Sequence, residues 1–584
     1  MAFASGRFTR LALGMAGASI AALVSVSAAL ADGGAIFDPM DRIHPVWAAN
    51  GMVSAQESLA AAIGRDIMER GGNAVDAGVA VAFALAVTLP RAGNIGGGGF
   101  MLVHDAKTGQ THAIDYREMA PGGAARDMFL DAKGDPDSDK SLYSGAASGV
   151  PGTVAGMRLA LEKYGTMKWE DVIAPAIRLA EEGITVTPEL ADSIEAERKY
   201  LTKYPATMKI FFKEGGESYR PGDRLVQADL AKTLKKIAAE GPDGFYKGEV
   251  AEAISRAVQA DGGLITPADM AAYKVVERAP VKGSYRGYEI VSMPPPSSGG
   301  VHLIQILNAL EGYPIAALGQ NSAETIHLMA ETMKLAYADR SEYLGDPDFV
   351  DVPVAALTSK AYAADMRAKI SADFARPAAQ IAPANLAPYE SDQTTHFSVV
   401  DKDGNAVSNT YTINFNYGSG LVADGTGVLM NNEMDDFSAK PGTPNGFGLI
   451  GGDANAIQAG KRPLSSMTPT IVLKDDKVWL VTGSPGGARI ITTVLQVVMN
   501  MIDHGMNVAE ASTAPRVHHQ WLPDELRVEE GISLDTIRLL QAKGHTIALK
   551  DAMGSTQSIM RDPATGALYG ASDPRRPDAA TLGY

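Results

Sequence analysis

The stretch Thr394-Thr395-His396-Phe397-Ser398-Val399-Val400, then Asp401 to Asn405, then Ala406 to Asn414, constrains this fold more than any other segment. Both arms are β-rich, and the Asp/Gly/Asn cluster between them supplies turn chemistry, which predicts an antiparallel hairpin. A five-residue loop pairs Val400 with Ala406. Counting outward along the ladder then sets Thr394 opposite Thr412, with Cβ atoms about 5 Å apart. Two hydroxyls face each other at the mouth of the strands. Facing threonines are ordinary sheet stabilisers, and a lone threonine is a poor nucleophile because nothing takes its proton. A cut between Gln393 and Thr394 changes this. The new α-amino group, with a pKa of about 8, lies within reach of its own hydroxyl, so one residue supplies nucleophile and base.

Composition removes several competing chemistries. The chain has no cysteine, so disulfides, thiolate metal sites and a cysteine nucleophile are all excluded. Ten histidines are present, but no His-Glu-x-x-His or comparable ligand spacing occurs, and no metal site is expected. His396 lies two residues beyond Thr394 and reads as a packing or supporting residue rather than a base. Gly96 to Gly99 forms no complete dinucleotide or phosphate-loop fingerprint, so no cofactor is expected. The formal charge of −16 disfavours nucleic acid as a partner.

Residues 1–31 carry no acidic side chain, place Arg7 and Arg10 before an apolar stretch, and end in Ala29-Leu30-Ala31. This is the pattern of a cleaved secretory signal, which implies export to the periplasm and no membrane span once it is removed. Beyond it, Ser54 to Arg70 reads as a helix stopped by Gly71-Gly72, and Ala74 to Leu89 as a buried helix. Gly99 to Asp105 and Thr111 to Tyr116 form a predicted hairpin that delivers Arg117 at a strand end. Amphipathic stretches between 150 and 280 read as a helical layer. Pro294 to Gly300 is a loop between a strand and a helix. Ala375 to Ser391, with Pro377, Pro383 and Pro388, reads as an exposed extended segment ahead of Thr394. Thr470 to Leu473 and Val478 to Val481 flank a Lys-Asp-Asp-Lys turn, and Ala488 to Ile502 is a helix with Gly486-Gly487 at its start, where unpaired amides can hold an oxyanion.

The motifs are many and ordered: Thr394-Thr395-His396-x-Ser398, Asn431 to Phe437, Pro463 to Met467, Gly483 to Gly487, Gly554 to Ser558, and upstream Asp115-Tyr116-Arg117-Glu118, Gly96 to Phe100 and Pro294 to Gly300. Together they resemble the γ-glutamyltranspeptidases, a family of N-terminal-nucleophile hydrolases, over nearly the whole chain after the leader. Periodicity supports a mixed α/β (α+β) class, and the resemblance implies a four-layer αββα sandwich. It implies a large subunit, 32–393, and a small catalytic subunit, 394–584, which associate after autocatalytic cleavage. Thr394 would attack the γ-carbonyl of glutathione or another γ-glutamyl compound and pass the acyl group to water or to an amino-acid or dipeptide acceptor. Thr412 would orient the nucleophile, and the amides of Gly486 and Gly487 would hold the oxyanion.

A substrate head bearing both charges needs both kinds of partner. Arg117 can clamp a carboxylate as a planar fork, and Ser465 and Ser466 can add hydroxyl donors. Asn414, Glu433 and Asp436 can receive the ammonium. The resemblance carries these positions onto the γ-glutamyl pocket, with Glu433 standing where the family uses Glu or Gln. The loop from Phe437 to Gly451 resembles the family's lid, with Phe447 where Tyr is common. Two other readings remain: a glutaryl-type cephalosporin acylase on the same fold, and a processing-dead exported binding protein.

Overall fold

The computed structural model describes residues 43–381 and 394–584. The expected leader at 1–31, Gln393 and most of the proline-bearing segment lie outside them. Two seven-stranded sheets, antiparallel throughout, form the centre. In spatial order the first runs Ala580–Gly583, Met52–Ala55, Thr395–Val400, Ala406–Thr412, Gly98–Asp105, Gln110–Tyr116 and Val276–Arg278. The second runs Val46–Ala48, Leu568–Ser572, Gln557–Arg561, Lys477–Thr482, Thr470–Lys474, Tyr288–Ser292 and Val281–Tyr285.

Three buried clusters show how the layers stack. Between the sheets, Met52, Phe100, Leu102 and Val400 meet Val291, Ile471, Val481 and Ile559. On the outer face of the first sheet, Val53, Phe397, Val407 and Tyr411 pack against Ile67, Phe83 and Val154 of the helices Ser58–Glu69, Ala74–Thr88 and Thr153–Tyr164. On the outer face of the second, Ile290, Val472 and Leu480 pack against Val301, Met333 and Val498 of Gly299–Leu310, Ala323–Tyr343 and Ile490–Ile502. The result is the αββα order that the family resemblance implied.

Local chemistry sets the element ends. Asn73 and Asp76 form a reciprocal capping box at the start of Ala74–Thr88, all fifteen residues of which are buried. A helix covered on every side carries no polar stripe, and Asp76 is tolerated because its carboxylate also accepts from the Thr166 and Met167 amides at 2.8 and 2.9 Å. The predicted helix from Ser54 starts later. Ser54 lies on the strand Met52–Ala55, and Glu57 caps the helix at Ser58 by accepting from the amides of Leu59 and Ala60.

The predicted Lys-Asp-Asp-Lys turn is tighter than expected. The strands run to Lys474 and from Lys477, leaving only Asp475 and Asp476, with φ of 50° and 60°, as a two-residue connection. The start of the proline-bearing segment is exposed at Pro377, Ala379 and Gln380, but Ala378 between them is buried: its amide donates to Asp524 Oδ2 at 2.8 Å, and its carbonyl accepts from Trp521 Nε1 at 3.1 Å.

Candidate active site

The hairpin register runs from Val400 opposite Ala406 to Thr395 opposite Tyr411, and its continuation carries Thr394 to Thr412 as counted. Phe397, Val399, Val407 and Tyr411 fill the outer core, so the alternate positions, including Thr394 and Thr412, face the second sheet. Both threonines are buried, and Thr394 Oγ1 stands 3.5 Å from Thr412 Oγ1. Thr412 Oγ1 is itself fixed by accepting from the Asn414 amide at 2.8 Å.

His396, on the same face, is unsuited to take a proton from Thr394. The Ser398 hydroxyl donates to the Gln557 carbonyl at 2.8 Å, so it must accept from His396 Nε2 at 3.1 Å, which leaves Nδ1 to accept from Thr410 Oγ1 at 2.8 Å. Both ring nitrogens are thereby occupied, and burial pulls the imidazole pKa down to about 3. Gly483 is required here by close approach, because a Cβ there would lie 2.3 Å from the His396 ring.

Gly486 and Gly487 have φ of 134° and 53°, and Gly487 lines the recess beside Thr394. Their setting differs from the expectation in one respect. Gly487–Arg489 is a 3-10 turn and the α-helix begins at Ile490, so the turn, rather than an α-helical N-terminus, presents these amides.

The recess is small, with a cavity volume of about 20 Å³. Thr394, Thr412 and Gly487 line it together with Asn414, Glu433, Asp436, Arg117, Ser465, Ser466 and Phe447. Gly486 is adjacent, and Gln393 lies outside the described residues.

Arg117, at the end of the strand Gln110–Tyr116, is fully buried. Its Nε donates to the Pro463 carbonyl at 3.2 Å, and its two terminal nitrogens donate to Glu433 and Asp436 respectively. Burial disfavours its charge, but Glu433, Asp436 and Glu118 outweigh that and raise its pKa. The carboxylates go the other way. Burial raises both Glu433 and Asp436 above the ordinary carboxylate range despite Arg117.

Glu118 stands 3.7 Å from Arg117 Nη1 with neither carboxyl oxygen hydrogen-bonded, and burial raises its pKa to about 7. A carboxyl whose folded pKa lies above its unfolded value binds its proton more tightly when folded. Its share of stability is full at acid pH and is lost as pH rises from about 4.5 to 7. Glu118→Gln should therefore gain thermal stability relative to the parent as pH rises from 5 to 8, read by paired melting curves. A pH-independent difference would contradict the assignment.

The lid is pinned to the same acidic turn. The Gly446 amide donates to Asp435 Oδ2 at 2.8 Å, and the Phe447 ring stacks on Phe415 with centroids 4.8 Å apart. Four lining residues were missed from sequence: the apolar Leu449, Met467 and Ile490, and Arg340, on the helix Ala323–Tyr343. A lone arginine far from every motif gives no local signal.

Away from the recess, His327, Glu331 and His545 bring three donors within 4.8 Å of one another. No local spacing marks this set, because His545 lies 218 residues beyond His327. All three are already engaged: His327 contacts the Ser371 carbonyl at 2.7 Å and His545 at 2.8 Å, while Glu331 meets Lys334 at 2.5 Å and the Arg376 amide at 3.1 Å. Among the described residues no helix is long and apolar enough to cross a membrane.

An αββα sandwich with a hydroxyl-bearing residue at the mouth of a central strand, beside a charged recess, is the architecture of an N-terminal-nucleophile hydrolase. The family model for γ-glutamyltranspeptidase matches residues 60–583, and the chain belongs to that family. It is 61% identical over 545 residues to a glutathione hydrolase proenzyme of Escherichia coli (strain K12), with 93% of each chain covered. Among solved structures, cephalosporin acylase from Bacillus halodurans superposes with a TM-score of 0.81 at 31% identity, covering 94% of this chain and 99% of that one. Helicobacter pylori γ-glutamyltranspeptidase gives a TM-score of 0.56 at 49% identity, covering 59% of this chain and 97% of that one.

Proposed function

We propose that this chain is an autoprocessing γ-glutamyltransferase and glutathione hydrolase. It is exported to the periplasm with loss of residues 1–31 and cut before Thr394 into associated fragments 32–393 and 394–584. Glutathione and related γ-glutamyl compounds are its donors, and water, amino acids or dipeptides its acceptors. One observation carries the reading: a recess lined by buried groups of both charge signs opens directly on the Thr394 hydroxyl, which suits an acyl donor whose head is a zwitterion.

In processing, Thr394 Oγ attacks the Gln393 carbonyl carbon, the peptide bond becomes an ester as the Thr394 nitrogen leaves, and water releases a carboxylate on Gln393. In turnover, the freed α-amino group takes the hydroxyl proton as Oγ attacks the γ-carbonyl. The Gly486 and Gly487 amides hold the oxyanion, and the proton passes to the departing amine. Water or an acceptor amine then cleaves the ester. Arg117, Ser465 and Ser466 serve the α-carboxylate, while Asn414, Glu433 and Asp436 serve the α-ammonium. Asn414 suits this role because its amide nitrogen is spent on the Asn432 carbonyl at 2.9 Å, leaving its oxygen to accept.

The test is turnover of glutathione by the cut protein, with glutamate and the dipeptide as products, and with transfer appearing when a dipeptide acceptor is added. A cut protein that ignores glutathione and hydrolyses glutaryl amides would be an acylase instead. An uncut, inactive protein would be a binding protein. The buried acidic pair argues against a glutaryl group, which has no ammonium to neutralise it.

Phe447 supplies an apolar wall but no hydroxyl. Phe447→Tyr adds a hydrogen-bonding group toward the neighbourhood of Asn414, and one net hydrogen bond is worth about 1 kcal/mol, or about fivefold in lid closure. The variant is expected to shift the transfer-to-hydrolysis ratio by up to that factor at fixed acceptor concentration. An unchanged ratio removes the lid from control of partition.

A further inference from the structure

Two consecutive glycines with φ of 134° and 53° form a pivot in the backbone. Neither has a side chain to fix it, so the direction of the Gly486 and Gly487 amides is set by whatever holds the chain on either side. Before the pivot the hold is local. The Ser484 hydroxyl donates to the Pro485 carbonyl at 2.7 Å and accepts from the Ser555 amide at 2.9 Å. The Arg489 amide closes the turn on the Gly486 carbonyl at 2.9 Å. After the pivot the Ala488 carbonyl accepts from the Tyr337 hydroxyl, which reaches in from the helix Ala323–Tyr343. Tyr337 lies before residue 394 and Ala488 after it, so this bond crosses the expected cut.

Tyr337 is built to hold that carbonyl rather than to meet substrate. It is 2% exposed and is not among the groups lining the recess. Its ring lies nearly parallel to His302, with centroids 6.4 Å apart, and edge-on to His518 at 5.7 Å, which aims the hydroxyl. Burial raises its pKa, so the hydroxyl stays a neutral donor and takes no part in proton transfer. Oxyanion stabilisation depends on amides aimed before the charge develops, and a turn free to rotate about two glycines loses that aim.

We infer that Tyr337 is a positioning residue for the oxyanion: by holding the Ala488 carbonyl it fixes the direction of the neighbouring Gly487 amide. This rests on the γ-glutamyl reading and on the part given there to Gly486 and Gly487. The fragment before the cut then completes a catalytic element of the fragment after it.

Tyr337→Phe removes the hydroxyl and keeps the ring. On a γ-glutamyl anilide its kcat is expected to fall by about 10- to 100-fold, while competitive inhibition by glutamate, planar at its γ-carboxylate, changes by less than about twofold. Inhibition by the γ-boronic acid analogue of glutamate, which becomes tetrahedral when boron takes the Thr394 oxygen, should weaken by the same factor as kcat. An unchanged kcat, or equal weakening of glutamate and boronate, would overturn the proposal. If Tyr337→Phe is not cut, its amide hydrogen exchange is compared with that of uncut Thr394→Ala. Faster exchange confined to residues 486–489 supports the proposal, and unchanged or chain-wide exchange refutes it. A wild-type protein that is cut but inactive on the γ-glutamyl anilide counts instead against the function proposed above.

Discussion

Thr394→Ala is expected to yield one uncut chain and to lower γ-glutamyl turnover by at least about 10⁴-fold, the scale on which an enzyme loses its nucleophile. The side chain is buried at the hairpin mouth, 3.5 Å from the Thr412 hydroxyl, so removing it takes away the attacking oxygen of both processing and turnover. Intact mass with N-terminal sequencing reads the first effect and glutathione consumption the second. The parent should give two chains, the smaller beginning at Thr394. Thr394→Ser keeps an oxygen at the same place and should still be cut, more slowly. A cut alanine variant, or an uncut parent, would remove the mechanism.

Arg117→Lys should cost about 10²- to 10³-fold in kcat/KM, although it conserves charge. The guanidinium reaches three acceptors in one plane: the Pro463 carbonyl through Nε, and Glu433 and Asp436 through its two arms. An ammonium cannot reproduce that fork, so one carboxylate loses its partner while remaining buried. Leaving a buried charge uncompensated costs about 3–5 kcal/mol, so the melting temperature should fall together with activity. The acidic pair, already raised by burial, should also protonate at still higher pH in the variant. An unchanged KM with an unchanged melting curve would show that Arg117 organises nothing in the recess.

Much of the site could be read from residue order because it is built on a hairpin. Once Asp401 to Asn405 is taken as the loop, period-two geometry places Thr394 against Thr412 without tertiary information, and the structure has that register. Arg117 was legible as a strand-end residue for the same reason. Its burial was not, since the strand alone cannot show that Glu433, Asp436 and Pro463 close over it from more than 300 residues away. The start of the helix at Ser58 and the 3-10 turn at Gly487 were misplaced because a cap or a tight turn shifts an element's end without altering the apolar pattern behind it.

Sequence alone determined the absence of cysteine chemistry, the nucleophile hairpin and its register, and family membership through motifs in order. These depend on local turn chemistry, on strand geometry, or on residue identity itself. Only the tertiary structure decided how the charges are held: that Arg117 meets two carboxylates, that Arg340 joins the recess on two serine hydroxyls, and that Glu118 is buried without a hydrogen bond. The physical reason is that the energy of a charge is set by its solvent exposure and its nearest partners, and in a four-layer fold those are contributed by segments far apart along the chain.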